Sequence, residues 1–228
     1  MIERDYIMRL FMVLGRAASR IMFFRETKKY DKALAEIDNA ARTLLGLSLE
    51  MIERMPVAGM KDVLGSDPAL LRPKLYTAGV LLKEKAETLA LQKNEDQSVD
   101  LYMKSLYFFM DTVPELNDFG DTRGIQTIDF VIDKLRDYEL PIDLRCRLAA
   151  YFENLGRYDK SEDVIFEIVD EDPRFLQDGI SFYKRLLLKS DFELADGHLP
   201  RNEVEESLAQ LRKKLMSEEE TSDSHQGT

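Results

Sequence analysis

The sequence predicts an all-α protein: a right-handed array of antiparallel helix pairs, about ten helices in all, with no sheet. Three observations predict it. Small residues recur as Ala33, Ser98 and Ser161, 65 and 63 residues apart (98 − 33 and 161 − 98), each followed by an apolar stripe at helical spacing. No stretch alternates apolar and polar residues as a half-buried strand would. Glycine and proline together are 18 of 228 residues (11 + 7), below the roughly 12% usual in globular chains, so helices have few places to break.

The same reasoning sets the elements in order. Met1–Phe24 is a helix with Ile7, Leu10, Phe11, Leu14, Ala18 and Ile21 in one stripe. Tyr30–Leu45 turns Ala33, Ile37, Ala40, Ala41 and Leu44 inward, with Gly46 just past its end. Leu47–Met55 continues helically to Pro56, and a short helix at Met60–Leu64 is closed by Gly65-Ser66-Asp67-Pro68. Leu70–Gln92 is broken only by Pro73, which suits a helix start nearby. Ser98–Met110 is the most apolar and is expected at the centre of the array. After a loop at Asn117–Asp121 come Gly124–Leu140, Leu144–Leu155, Asp159–Val169, Gly179–Asp191 and Arg201–Met216. The helical domain is thus 1–216. Residues 217–228 hold four acids and no apolar side chain, a composition that predicts a disordered acidic tail.

Leu148 to Pro173 is the clearest unit. Leu148, Ala149 and Phe152 share a face, Gly156 suits a left-handed helix end, Tyr158 opens the next helix, and Ser161, Ile165 and Ile168 form its buried stripe before Pro173 stops it. This spacing resembles the tetratricopeptide repeat (TPR), a helix pair of about 34 residues. Arg145 stands where that family prefers Trp, and Ile168 where it prefers Ala. Weaker echoes lie at Phe24 through Ala40 and at Ala86 through Ser105. The opening, Glu3-x-Asp5-Tyr6-Ile7-Met8-Arg9, is loosely similar to that of a group of bacterial TPR-like proteins, a resemblance that implies no activity.

Charge narrows the function classes. The net charge is −11, yet residues 1–29 carry seven Lys/Arg against three acids, +4, leaving −15 on the rest. An acidic body lacks the basic stripe that nucleic acid requires. Arg9 and Arg16 interrupt the first helix's apolar runs, so it predicts neither a signal peptide nor a membrane span, and the expected location is the cytoplasm. One cysteine, Cys146, excludes an internal disulfide, and no Cys/His cluster suits zinc. Asp118-Phe119-Gly120 matches a kinase triplet without the kinase's other motifs. Asp196-Gly197 with Glu203 fails as a calcium loop, because Phe192 and Leu194 stand at ligand positions. His198 and His225 have no paired nucleophile or carboxylate at a readable spacing. No enzyme, cofactor or metal is expected.

The TPR resemblance implies a concave groove lined by the first helix of each pair. It places Asp143, Cys146, Ala150, Glu153 and Asn154 there, and from the preceding repeat Val80, Lys83, Glu87, Ala90 and Leu91. A chaperone-tail clamp would need Lys and Asn where Ala18 and Met22 stand. The groove's acids and small apolar residues predict a protein-interaction scaffold that binds a basic or amphipathic peptide. A second class stays open: a peripheral membrane or regulatory adaptor using the first helix. There Arg9, Arg16 and Arg20 fall within about 40° at 100° per residue, beside Met12 and Phe23. That stripe either meets acids of the body or docks a protein partner or a second copy. Lipid is disfavoured, since about 1 kcal/mol per basic residue is marginal for anchoring.

Overall fold

Three helical hairpins of this protein close on one and the same turn. The computed structural model describes residues 2–65, 67–112 and 123–225, all helix and connecting turn, with no strand among them. The helices are α1 (Ile2–Glu26), α2 (Tyr30–Leu45), α3 (Leu49–Arg54), α4 (Val57–Leu64), α5 (Pro68–Leu91) and α6 (Glu95–Met110). After these come α7 (Arg123–Lys134), α8 (Ile142–Asn154), α9 (Tyr158–Glu171), α10 (Leu176–Leu186), α11 (Asp191–Asp196) and α12 (Arg201–His225). A 3-10 turn at Pro173–Phe175 leads into α10. The chain divides into two compact units, Met1–Leu140 and Pro141–Thr228.

The shared turn joins α1 to α2, α5 to α6 and α8 to α9. Its pivot is left-handed in each case: Lys28 (φ 55°), Lys93 (φ 61°) and Gly156 (φ 71°). The next residue's N–H reaches back five residues: Lys29 to Phe24 (2.8 Å), Asn94 to Leu89 (3.0 Å), Arg157 to Phe152 (2.9 Å). Such a closure satisfies carbonyls that the helix end would otherwise leave bare. Four residues further on sit Ala33, Ser98 and Ser161, all buried. In two hairpins the small residue is a serine with a specific task. Ser98 Oγ donates to the Ala86 carbonyl (2.9 Å) and Ser161 Oγ to that of Ala149 (2.8 Å), each spanning twelve residues.

Between α5 and α6 the close approach runs further. Ser105 Oγ donates to the Gly79 carbonyl (2.8 Å), seven residues along each helix from the Ser98–Ala86 contact. A Cβ on Gly79 would lie 2.7 Å from the Phe109 ring, so only glycine lets these helices meet there. In the second unit, Tyr158, Val169, Ile180, Phe182, Tyr183, Leu208 and Leu211 belong to one core. Gly179 is a tight point in it, since a Cβ would come 2.9 Å from Leu211 and 3.3 Å from Ile165 and Val169, and Gly197 is tighter still, against Tyr158.

Several boundaries differ from those the sequence predicts: α4 begins at Val57 rather than Met60 and α6 at Glu95 rather than Ser98, and four further differences have a clear cause or consequence. α5 begins at Pro68, capped by Asp67, whose carboxylate accepts from the Ala69 N–H (3.0 Å), and runs through Pro73. So near the helix start, Pro73 removes only one backbone bond. α7 stops at Lys134, short of Leu140, with turns on to Glu139 and Pro141 capping the next helix. The segment Gly179–Asp191 is not one helix: α10 covers Leu176–Leu186, and a separate α11 starts at a capping box made by Ser190 and Glu193. α12 continues to His225, so positions 217–225 are helical where composition predicts disorder. Glutamate is a good helix former and carries the backbone past the last apolar contact, at Leu215. The predicted loop Asn117–Asp121, with Asp118-Phe119-Gly120, lies outside the described residues.

Candidate functional site

The second unit holds a cavity of about 350 Å³. Cys146, Ala149, Ala150 and Glu153 of α8 form one wall, and Asp178, Gly179, Phe182 and Arg185 of α10 form the other. Ile165, Ile168 and Val169 of α9, with Phe175, complete an apolar lining. The local sequence explains the opening. Small side chains at Cys146, Ala149 and Ala150, one turn apart, leave α8 thin on this side, and Gly179 does the same for α10.

Charge is confined to the rim. Arg185 grips Glu153 with two parallel bonds, Nε to Oε1 (2.8 Å) and Nη2 to Oε2 (2.7 Å), bridging the two walls. That hydrogen bond raises the Arg185 pKa. Asp178 is exposed, with no ion-pair partner among the described residues. Burial pushes the Cys146 thiol pKa up, and Asp178 and Asp143 push it further. A thiol held protonated by an acidic, half-buried setting is the opposite of an activated nucleophile. The cavity is thus apolar inside, with the exposed Asp178 carboxylate at its edge.

The same hairpin positions in the first unit are filled differently. Stepping back by 63 residues, the interval between the turn pivots Gly156 and Lys93, Cys146 corresponds to Lys83 and Ala150 to Glu87. Lys83 Nζ binds Glu84 (2.9 Å) and Glu87 (2.8 Å), while Arg25 of α1 binds Glu84 (2.9 Å) and Glu87. Two acids and two bases thus neutralise one another under little solvent. Lys83 Nζ also lies 5.1 Å over the Phe130 ring. Burial pulls the Lys83 pKa down, but Glu84 and Glu87 outweigh it and the net shift is upward. Tyr102 nearby is held protonated by burial and by Glu87. Arg25 is itself equivalent to Glu153, 128 residues on (65 + 63). At both places one residue of a hairpin's first helix reaches across to a neighbouring helix.

The family can now be stated. The chain belongs to DUF6483, a family of unknown function. Its sequence profile matches residues 1–216. No curated protein and no solved structure matches the chain. No described helix is long and apolar enough to cross a membrane, and the described residues hold no cluster of three or more His, Cys, Asp or Glu that could ligate a metal.

Of the predicted groove residues, Ala150 and Glu153 line the cavity, as does Cys146. Asp143 and Asn154 are exposed on α8 outside the lining. Lys83 and Glu87 lie in the ion cluster, occupied by Arg25 and by each other. Leu91 is exposed at the end of α5. On α1, Arg20 Nε meets Glu36 of α2 (2.8 Å), Arg16 leans on the Met12 sulfur (3.6 Å), and Arg9 points to solvent. The α10 wall is absent from the sequence reading. Its one signal is Phe175 through Phe182, where Gly179 sits inside an apolar stripe at helical spacing.

Proposed function

We propose that this chain is a non-catalytic, TPR-like helical-repeat scaffold whose α8–α10 cavity takes an apolar side chain from a basic or amphipathic peptide. The observation that carries this reading is the cavity itself: apolar inside, open between two helices, with Asp178 on its lip. Binding sites for peptides reuse this arrangement, with an apolar anchor for affinity and a few polar groups for orientation. A Lys or Arg beside the anchor would pair with Asp178, and the Glu153–Arg185 bridge closes one end. Support for the repeat comes from the paired serine contacts beside the shared turn, a closure that recurs a fourth time where Leu199 N–H reaches Leu194 (3.0 Å) past the left-handed His198. Against thiol chemistry stands the raised Cys146 pKa.

Selection of displayed random peptides on the full chain tests this. The expected consensus is one large apolar residue within a few positions of Lys or Arg. Ala150→Trp fills the cavity from its exposed side and should weaken the selected peptides at least tenfold, and Asp178→Lys should weaken those with a basic flank. Peptides that bind Ala150→Trp as well as the parent, or a selection that enriches nothing, would overturn the proposal.

A further inference from the structure

The first helix has a second apolar face. Its inner face, Ile7, Leu10, Leu14, Ala17 and Ile21, is buried. On the opposite side Met8 (62% exposed), Met12 (53%), Met22 (52%) and Phe23 (54%) stand in solvent. One exposed apolar residue is ordinary, but four large ones on one helix make a patch that calls for a partner.

The spacing says what kind of partner. Met8, Met12, Gly15, Ser19, Met22 and Glu26 advance by four, three, four, three and four residues. At 100° per residue they fall within about 80°, a narrow seam of the type one helix offers another. An interfacial membrane helix sets one apolar face against one charged face, whereas this seam is narrow and thins at its waist. Here the waist is Gly15 and Ser19, and a Cβ on Gly15 would meet nothing within 4 Å.

The order of sizes is palindromic. Residues whose numbers sum to 34 match: Met12 with Met22, and Gly15 with Ser19. An isologous contact between identical copies needs a patch that is complementary to itself under a two-fold rotation. We propose that α1 of one copy docks antiparallel on α1 of a second copy, about a two-fold axis between Gly15 and Ser19. Met12 then lies against Met22 of the second copy at both ends of the waist. Charge agrees with this direction. Asp5 approaches the Lys28–Lys29 turn of the other copy, and Met8 and Arg9 approach its Glu26, whereas parallel pairing would set Asp5 on Asp5 and Glu26 on Glu26. Arg9 also comes beside Phe23 of the second copy, a cation–π geometry. Arg16 approaches its own copy near the axis, the one unfavourable juxtaposition. A single helix pair buries less than the roughly 1,200 Å² of a standard interface, so the dimer belongs with the weak, concentration-dependent ones.

Sedimentation equilibrium of the full chain, carried to several hundred micromolar, tests the pairing. The parent should pass from monomer to dimer. Met12→Lys and Met22→Glu, both at exposed positions, should each weaken dimerisation at least tenfold. The double variant Met12→Lys/Met22→Glu should recover it, because antiparallel pairing places each Lys opposite a Glu. A parent that stays monomeric, single variants that dimerise like the parent, or a double variant no better than the singles would each overturn the proposal. A monomeric parent that co-floats with phosphatidylcholine/phosphatidylserine vesicles, and loses this in Met12→Lys/Phe23→Ser, would assign the face to a lipid surface instead. Ser19→Cys in a Cys146→Ser background, which removes the one native thiol, supplies an independent readout: a short bismaleimide should link it into a dimer at concentrations where Tyr6→Cys in the same background, on the side of α1 away from the seam, is not linked.

Discussion

The α5–α6 and α8–α9 hairpins share a turn, a left-handed pivot and a serine-to-carbonyl bond of nearly equal length. They differ in what the first helix carries on its open side. Lys83 and Glu87 close that side of α5 with a charge cluster, whereas Cys146 and Ala150 leave that side of α8 empty. The backbone is held by a few small residues, and the remaining positions are free to specialise. Open space beside such a hairpin therefore comes from removing side chains as much as from adding them.

The largest expected effect separates the two cross-helix contacts. Arg25 is 11% exposed and serves Glu84 (6%) and Glu87 (19%), while Arg185 is 55% exposed. Removing one partner of a buried ionic group leaves uncompensated charge, so Arg25→Ala should cost about 3–5 kcal/mol. Arg185→Ala breaks a solvent-screened pair and should cost about 0.2–1 kcal/mol. Urea denaturation of both variants checks this. Equal losses would mean that the α5 cluster is no more structural than the rim bridge of the cavity.

A smaller effect of opposite sign is expected at the pivots. Gly156 adopts φ 71° and Lys93 φ 61°. A side chain in this region costs about 1–2 kcal/mol, so Gly156→Ala should destabilise by that amount. Lys93→Gly relieves the same strain and, after the entropy glycine adds to the unfolded chain, should stabilise by a few tenths of a kcal/mol. Thermal melts of the two variants should therefore move in opposite directions. Movement in the same direction would show that the two turns are not equivalent in energy.

How much of this was legible in the sequence follows from the range of the interactions involved. Ala33, Ser98 and Ser161 mark the second helix of each hairpin because the turn fixes them four residues past its closing residue, a local constraint. The TPR resemblance set Cys146, Ala150 and Glu153 on one side of α8, and they line the cavity, whereas Asp143 and Asn154, set there with them, do not. Arg25 was not readable as the partner of Glu84 and Glu87, since 59 and 62 residues separate them (84 − 25 and 87 − 25) and no local pattern encodes that meeting. Lys83 and Glu87 therefore read as groove charges when the fold uses them internally. The break between α10 and α11 did have a local signal, Ser190 with Glu193 three residues on, which the three leucines Leu186–Leu188 just before it obscured.

The smallest effect concerns the residue after each shared serine, Val99 in one hairpin and Glu162 in the other. Glu162 accepts from Tyr183 Oη (2.7 Å) and Ser207 Oγ (3.1 Å) in a half-buried setting. Burial raises its pKa above the ordinary 4.5, and those two hydrogen bonds only partly oppose the rise. A carboxyl whose pKa is higher folded than unfolded binds its proton more tightly in the native state. Between the ordinary value and the raised one, the folded chain thus holds more protons, and stability falls as pH rises through that window. Other carboxylates act in the reverse sense: Asp38, held low by Arg42 and by the Leu49 N–H, loses its contribution as pH falls. The difference between parent and Glu162→Gln isolates the one group, because glutamine can still accept from Tyr183 but cannot ionise. Glu162→Gln should therefore compare more favourably with the parent at neutral pH than near pH 4. Urea midpoints for both proteins across that range measure it, and a pH-independent difference would mean that Glu162 titrates alike in the folded and unfolded chain.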